Sequence, residues 1–407
     1  MVAATAMNSC QIVWCRMGDD DAASWPLEYA AAGRLLEDGH FEDAERAALD
    51  ALRAAEAAFG EADERVEASL TRLLNVLTAR NEFEYFDNAA EISRRAIPVR
   101  QRLLGRHEAR LGRNHPDLVP ELVLLASAFM DVGGHTQEAE AALVRAQMLA
   151  GQAGSEVARS WSATINRSLA DLYIDTGRAA AAEPLLVPVA TRPAADPVDT
   201  EREYARSRLI TAYLAQGHLD DAIPLFERRA AEMPLLAWQE WHRLARELQS
   251  YDRLAEAEAT YRRALAAADA ERAHWLARCA AWAAAGTEAQ AVRTLCGLAS
   301  VLHARGRTDE ADATYGEALA RVEQLPTTWA PGDTDRQVEP PPLGQRAVGY
   351  VLERYARFLR AVGRKAEAAS LQARYDVLAA EVMAQWDRYW ATQTDRSRPK
   401  DDGLGPF

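Results

Sequence analysis

The chain has 407 residues and a formal net charge of −14, and alanine, leucine, glutamate and arginine dominate it. That composition is helix-forming and strongly charged. Its acidity argues against nucleic acid as the default partner, because neutralising phosphates needs a basic face. No apolar run reaches the roughly eighteen residues that cross a membrane, and Met1 to Ser9 lack the basic start and apolar stretch of a secretory signal. The four cysteines, Cys10, Cys15, Cys279 and Cys296, have neither zinc spacing nor the density of a disulfide framework, so a reducing, cytoplasmic setting is expected.

In chain order, residues 1–23 read as an irregular N-terminus containing the acidic run Asp19-Asp20-Asp21. From residue 24 a short pattern recurs: a glycine sits five residues before an alanine, with a helix-periodic segment on each side. It stands at Gly39 and Ala44, Gly134 and Ala139, Gly177 and Ala182, Gly217 and Ala222, Gly306 and Ala311, and Gly363 and Ala368. Degenerate copies lie at Asn81 and at Asp252 to Ala257. The period near forty residues implies an array of supersecondary units rather than a fold built around one active site.

Within each unit the residues before the glycine form one helix and those after it a second, the glycine supplying the left-handed turn between them. Small residues seven before and five after the glycine let the two helices approach closely, and a large residue nine after it fills the space above them. At these residues the chain resembles the tetratricopeptide repeat family; the unit Trp241, Leu244-Ala245, Leu248, Ala257, Tyr261, Ala264-Leu265 follows that family's large-small pattern almost throughout. The stretch Leu111-Gly112-Arg113-Asn114-His115-Pro116-Asp117-Leu118 resembles the linker of the kinesin-light-chain subclass, and Phe59 to Val66 is a weaker copy without the His-Pro. The resemblance implies an all-α fold: a right-handed α-solenoid of about eight hairpins over residues 24–391, closed by a C-terminal capping helix running to about Trp390.

Three intervals are too long for the period. The first is assigned to a lengthened helix through Leu103-Leu104 and a linker from His107 to Gly112. The second is assigned to a helical extension carrying Trp275, Cys279 and Trp282 as one stripe. The third, 325–344, holds Pro326, Pro331, Pro340, Pro341 and Pro342 and cannot be helical. A surface excursion is its simpler reading and a partner-contact loop around Trp329 the alternative. Residues 392–407 read as a disordered polar tail.

The search for chemistry finds no phosphate-binding glycine loop and no nucleophile elbow. His107-Glu108 with His115 has the wrong spacing for a zinc helix. Cys296 and His303 share a helix face but lack an orienting third group, so helix packing is the better reading. The pairs Glu42-Asp43 and Asp220-Asp221 are explained by favourable interaction with helix N-termini. No catalytic residue, metal or cofactor is therefore expected.

Binding is expected on the first helices, which line the concave face of such arrays. Counting back from each glycine separates the packing stripe from an inward stripe. Toward the C-terminus that inward stripe carries Tyr204, Arg208, His242, Arg243, Arg246, Arg293, Ser300, His303, Tyr350, Arg354, Arg357 and Arg360. Toward the N-terminus it includes Asn75, Arg167 and Asp171, and the charges roughly cancel. Arginine forks of this kind pair with carboxylates or phosphates, and Asn75 could grip a peptide backbone. Against this, helix-face arginines are often solvated or paired, and Glu353 is placed to neutralise Arg357 at i,i+4. The leading expectation is a non-catalytic adaptor holding an acidic segment of another protein in its groove. The alternative is a ligand- or peptide-responsive regulatory subunit acting on a separate effector chain.

Overall fold

Glycine sets the geometry of this fold at its turns. Gly39, Gly177, Gly217, Gly306 and Gly363 have φ between +74° and +84°, a region that costs other residues a Cβ clash. At each, two backbone bonds close the preceding helix. At the first, the Gly39 amide donates to the Leu36 carbonyl at 3.1 Å and the His40 amide to that of Leu35 at 2.9 Å. This is the Schellman arrangement. It recurs with Arg178 on Tyr173, His218 on Tyr213, Arg307 on Leu302 and Arg364 on Leu359. Asp252 makes the same turn at φ +58°, the one positive φ outside glycine among the described residues. The turn at Gly133 and Gly134 is doubled, with φ of +72° and +75°.

The computed structural model describes residues 4–83, 89–151, 160–193, 199–278, 280–325 and 343–391. Sixteen helices and no strands occur among them. They are α1 (Ala4–Glu37), α2 (Phe41–Phe59), α3 (Glu64–Phe83), α4 (Ala89–Leu111), α5 (Val119–Val132), α6 (Thr136–Ala150), α7 (Ser162–Asp175), α8 (Ala179–Thr191) and α9 (Thr200–Ala215). There follow α10 (Leu219–Glu232), α11 (Ala237–Ser250), α12 (Leu254–Ala277), α13 (Ala281–Ala304), α14 (Thr308–Val322), α15 (Leu343–Ala361) and α16 (Lys365–Ala391). The chain divides into two compact units, Met1–Ala212 and Tyr213–Phe407, the division falling inside α9. Each is a run of helix hairpins, so the fold is an all-α solenoid type.

The small-residue rule is realised in the packing. Ala32 and Ala44, Ala170 and Ala182, Ala245 and Ala257, Ala299 and Ala311, and Ala356 and Ala368 are all 0–1% exposed. Each pair flanks its turn by seven and five residues. At the doubled turn the first count runs from Gly133, to the buried Ala126, and the second from Gly134, to Ala139. The large residue nine after the turn is likewise buried at Leu143, Leu186, Phe226, Tyr261 and Tyr315.

Charge then links successive hairpins. The arginine just after a turn pairs with the glutamate three residues on, as in Arg253 with Glu256, Arg307 with Glu310 and Arg364 with Glu367. It also reaches back to the previous hairpin's second helix: Arg178 to Glu140 at 2.9 Å, Arg253 to Asp220 at 2.5 Å, Arg307 to Glu258 at 2.6 Å and Arg364 to Asp312 at 2.6 Å. In three of the four, the acid lies six residues after its own turn. Glu258 is the most enclosed of these acids; its carboxylate is 3% exposed and also takes Arg262 and Arg305.

Four expectations are corrected. The N-terminal segment is helical from Ala4 rather than irregular up to residue 23. Its residues before Gly18 include no glycine or proline to break a helix, and alanine and methionine favour one. Asn81 makes no turn, because α3 continues past it to Phe83. The stripe of Trp275, Cys279 and Trp282 is not one helix: α12 ends at Ala277 and α13 begins at Ala281, with the Ala280 amide bonded to the Trp275 carbonyl at 3.0 Å. Finally, α4 includes His107 and runs to Leu111, so the linker starts only at Gly112 (φ +89°). The two linkers then prove alike. The Asp63 side chain accepts from the Arg65 amide at 2.9 Å, and the His115 ring from the Asp117 amide at 3.2 Å. Asp63 thus does the capping work of the His-Pro copy. Cys279, the expected loop around Trp329 and the tail 392–407 lie outside the described residues.

Candidate functional site

Most arginines of this chain are committed to acids. In the first unit Arg208 pairs with Asp171 at 2.6 Å and Asp175 at 3.1 Å, and the Tyr204 hydroxyl is bonded to the same Asp171. Arg167, though exposed, lies with its guanidinium 4.0 Å from the Tyr204 ring centroid. Asn166 is engaged by the Gln147 amide at 3.0 Å, and Asn75 is exposed on α3. A cavity of about 280 Å³ lies beside Arg167 and Tyr204, lined by Ala163, Leu185, Leu186 and Val189. In this unit the inward Arg208 is therefore neutralised by two aspartates, while Arg167 rests on the Tyr204 ring.

The second unit differs. Its first helices α11, α13 and α15 pack in sequence, α11 on α13 and α13 on α15, and they bring Arg246, Arg293 and Arg354 around Tyr350. The Arg354 guanidinium lies 4.9 Å from that ring's centroid and that of Arg293 5.3 Å. Such contacts with an aromatic face fix the guanidinium plane while leaving its N–H donors free. A fourth arginine, Arg346, stands one helical turn before Tyr350, within 6.0 Å of the Trp386 ring, and its Nε is buried without an acceptor. Among the described residues none of these four arginines has a carboxylate partner or a hydrogen bond.

The acid–base groups nearby feel the same concentration of positive charge. His242 is pushed down to about 4, by burial first and then by Arg246 and Arg293. Burial lowers Arg346 as well, with Arg293 adding repulsion. Tyr350 is raised by burial against the opposing pull of Arg354, Arg293 and Arg246. His242 is held at the base of the cluster. Its ring stands edge-on to Tyr261 at 5.7 Å, and its Nδ1 lies 3.0 Å from the Thr294 hydroxyl. Since Thr294 donates its proton to the Gln290 carbonyl, His242 is the donor in that contact. Tyr261, pushed up to about 12 by burial, bonds Gln249 at 3.2 Å, and Gln249 in turn reaches Ser300 at 3.2 Å.

The other expected residues stand apart from this cluster. Arg243 lies over Phe226 at 5.4 Å, Arg357 pairs with Glu353 at 2.6 Å, and Arg360 donates to Gln372 at 2.6 Å. His303 packs edge-on against Phe358 at 5.1 Å. Burial pushes the Cys296 thiol up to about 12, so it is not a thiolate nucleophile at neutral pH. Nor do the histidines near the linker form a metal site: His107 contacts Glu67 at 3.2 Å, and no cluster able to hold a metal occurs among the described residues. No helix among them is long and apolar enough to cross a membrane. Arg346 escaped the inward count because it lies a turn beyond the counted window, and Tyr261, on a second helix, was counted only as the packing residue nine after its turn. The i,i+4 series Arg346, Tyr350, Arg354 was the available signal.

No family model and no curated protein matches the sequence. Solved structures do. Kinesin-light-chain TPR-like repeats from Podosopora anserina are 20% identical over 54% of this chain and 97% of theirs, with a TM-score of 0.36. BtubC (BKLC) from P. vanneervenii is 14% identical over 76% of this chain and 93% of its own, at 0.35. A signal transduction ATPase with a tetratricopeptide repeat sensor, from Pyrococcus horikoshii, is 13% identical over 89% of this chain and 54% of its own, at 0.43. These neighbours are tetratricopeptide proteins, kinesin-light-chain-like ones among them, the family whose residue pattern the chain resembles.

Proposed function

We propose that this protein is a non-catalytic interaction scaffold that holds an acidic segment of a partner protein on the arginine-tyrosine surface of its second unit. One observation carries the reading. Arg246, Arg293 and Arg354 gather around Tyr350, with Arg346 one turn before it, and none has a carboxylate partner among the described residues, in a chain of net charge −14 that pairs so many of its other arginines. Keeping four cations together unpaired works against the folded state, and an arriving carboxylate relieves it. Charge-assisted hydrogen bonds to such forks are each worth roughly 1.5–3 kcal/mol.

The test uses a fluorescein-labelled glutamate-rich dodecapeptide and measures its anisotropy on the full chain. Exchanging Arg246 and Arg354 for glutamate is expected to weaken binding by at least about tenfold, consistent with the loss of one such bond. Wild-type binding is expected to fall steeply as salt rises through about 0.1 M, where the Debye length is about 10 Å. Arg357→Glu is the control, because Glu353 already neutralises that side chain. Equal loss in both variants, or none in either, defeats the assignment of this surface.

A further inference from the structure

The same cluster specifies more than a negative partner. A carboxylate offers two acceptor atoms and one charge. Four guanidinium groups offer far more donors than that, and one carboxylate leaves most of the positive charge unmet. A phosphomonoester carries about −1.5 to −2 charges near neutral pH and three acceptor oxygens in a tetrahedral array. It can accept from forks arriving on several sides, which is how arginine clusters read phosphorylated segments.

The placement of the four groups suits that array. Arg346, Tyr350 and Arg354 are spaced by four on α15 and share one face. Arg293 approaches the same tyrosine ring from α13, and Arg246 stands one turn after His242 on α11. Two guanidinium planes are held against a single aromatic ring, so little side-chain freedom is lost when an anion arrives. The buried Nε of Arg346 supplies a donor that nothing in the described structure uses.

Building on the acidic-segment reading above, we propose that the arginine cluster around Tyr350 is a recognition site for a phosphomonoester carried on a side chain of the partner segment. Dephosphorylation of that partner then releases it. Acidic residues flanking the phosphate supply the weaker, less oriented part of the contact.

Two dodecapeptides differing only at the central position, glutamate in one and phosphoserine in the other, distinguish the two readings. At pH 7.5 the phosphoserine peptide is expected to bind at least about tenfold more tightly, and Arg293→Gln with Arg346→Gln is expected to remove that advantage. Circular dichroism checks that the variant keeps its helices. A second readout is the histidine NMR titration. An anion screening Arg246 and Arg293, with Tyr261 and Thr294 the other neighbours of His242, is expected to move the ring's titration upward from about 4. Equal affinity for the two peptides overturns the phosphate proposal while leaving the acidic-segment reading intact. Failure of both to bind overturns both. An advantage that survives in the double variant places the phosphate elsewhere and also overturns the proposal.

Discussion

Glycine inside a helix normally marks a weak point, so replacing it with alanine should stabilise. Gly297 is expected to do the opposite. A Cβ built there stands 2.6 Å from Cζ, 2.7 Å from Cε1 and 2.8 Å from the hydroxyl of Tyr261. That ring is 1% exposed, wedged against His242 and bonded to Gln249, so it has no room to retreat. The helix-propensity gain of Gly297→Ala is about 1 kcal/mol. Overpacking a filled core costs about 1–3 kcal/mol, and displacing the Tyr261 hydroxyl loses a hydrogen bond worth about 1 kcal/mol. The balance is a net destabilisation of roughly 1–3 kcal/mol, or about 2–12 °C in melting temperature for a unit of this size. Gly316 and Gly286 are the matched controls. Both are helical, and a Cβ on either meets nothing within 4 Å, so alanine there is expected to raise the melting temperature by about 2–4 °C. Differential scanning calorimetry of the three variants decides the point. If Gly297→Ala melts with Gly316→Ala, the packing argument is wrong.

Three other outcomes follow from the same structure. Asp252→Gly relieves a left-handed residue that carries a Cβ, and urea titration is expected to show a gain of about 1 kcal/mol; a loss would mean the aspartate earns its place some other way. Glu258→Gln leaves Arg262, Arg305 and Arg307 facing a neutral group at the most enclosed of the inter-hairpin contacts. A cost of about 2 kcal/mol is expected, below the range for fully buried pairs because these arginines are partly exposed; an unchanged midpoint refutes it. His242 titrates near 4 in the folded chain against an ordinary 6.5, so the unfolded chain binds the extra proton between those values. Stability is therefore expected to fall as pH drops from 6.5 toward 4, by about 3 kcal/mol. His242→Gln should flatten that part of the curve, and identical slopes in the two proteins would exclude the histidine as the cause.

The hairpins were legible in the sequence because each turn combines a steric demand with a packing demand. Glycine answers the first, and buried alanines at fixed distances answer the second. Where one signal stands alone the reading failed. Asn81 has the residue type for a left-handed turn, yet α3 runs through it. At Trp275 to Trp282 the spacing kept helical period across a real break, because one helix ends at Ala277 and the next begins at Ala281 with the apparent phase preserved. The arginine cluster was only half legible. Counting from the turns identified which residues face the same way, and Arg246, Arg293, Tyr350 and Arg354 came from that count. It could not tell which arginines were already paired. Arg208 is held by two aspartates, one of them on the same inward stripe of the neighbouring hairpin. Arg243 and Arg357 also found local partners, and Arg346 joined from outside the counted window.

The arginine that directly follows the turns at Gly177, Asp252, Gly306 and Gly363 makes those hairpins interchangeable parts. Arg253, Arg307 and Arg364 occupy equivalent positions, and each meets an acid on the preceding second helix. If the segment from Arg253 to Gly306 were excised, Arg307 would follow Asp252 and face Asp220, an acid it never meets in the present chain. The sign would still match. A solenoid wired this way can gain or lose a whole hairpin by duplication or deletion without acquiring a repulsive joint, so its length is free to drift while its local contacts are kept.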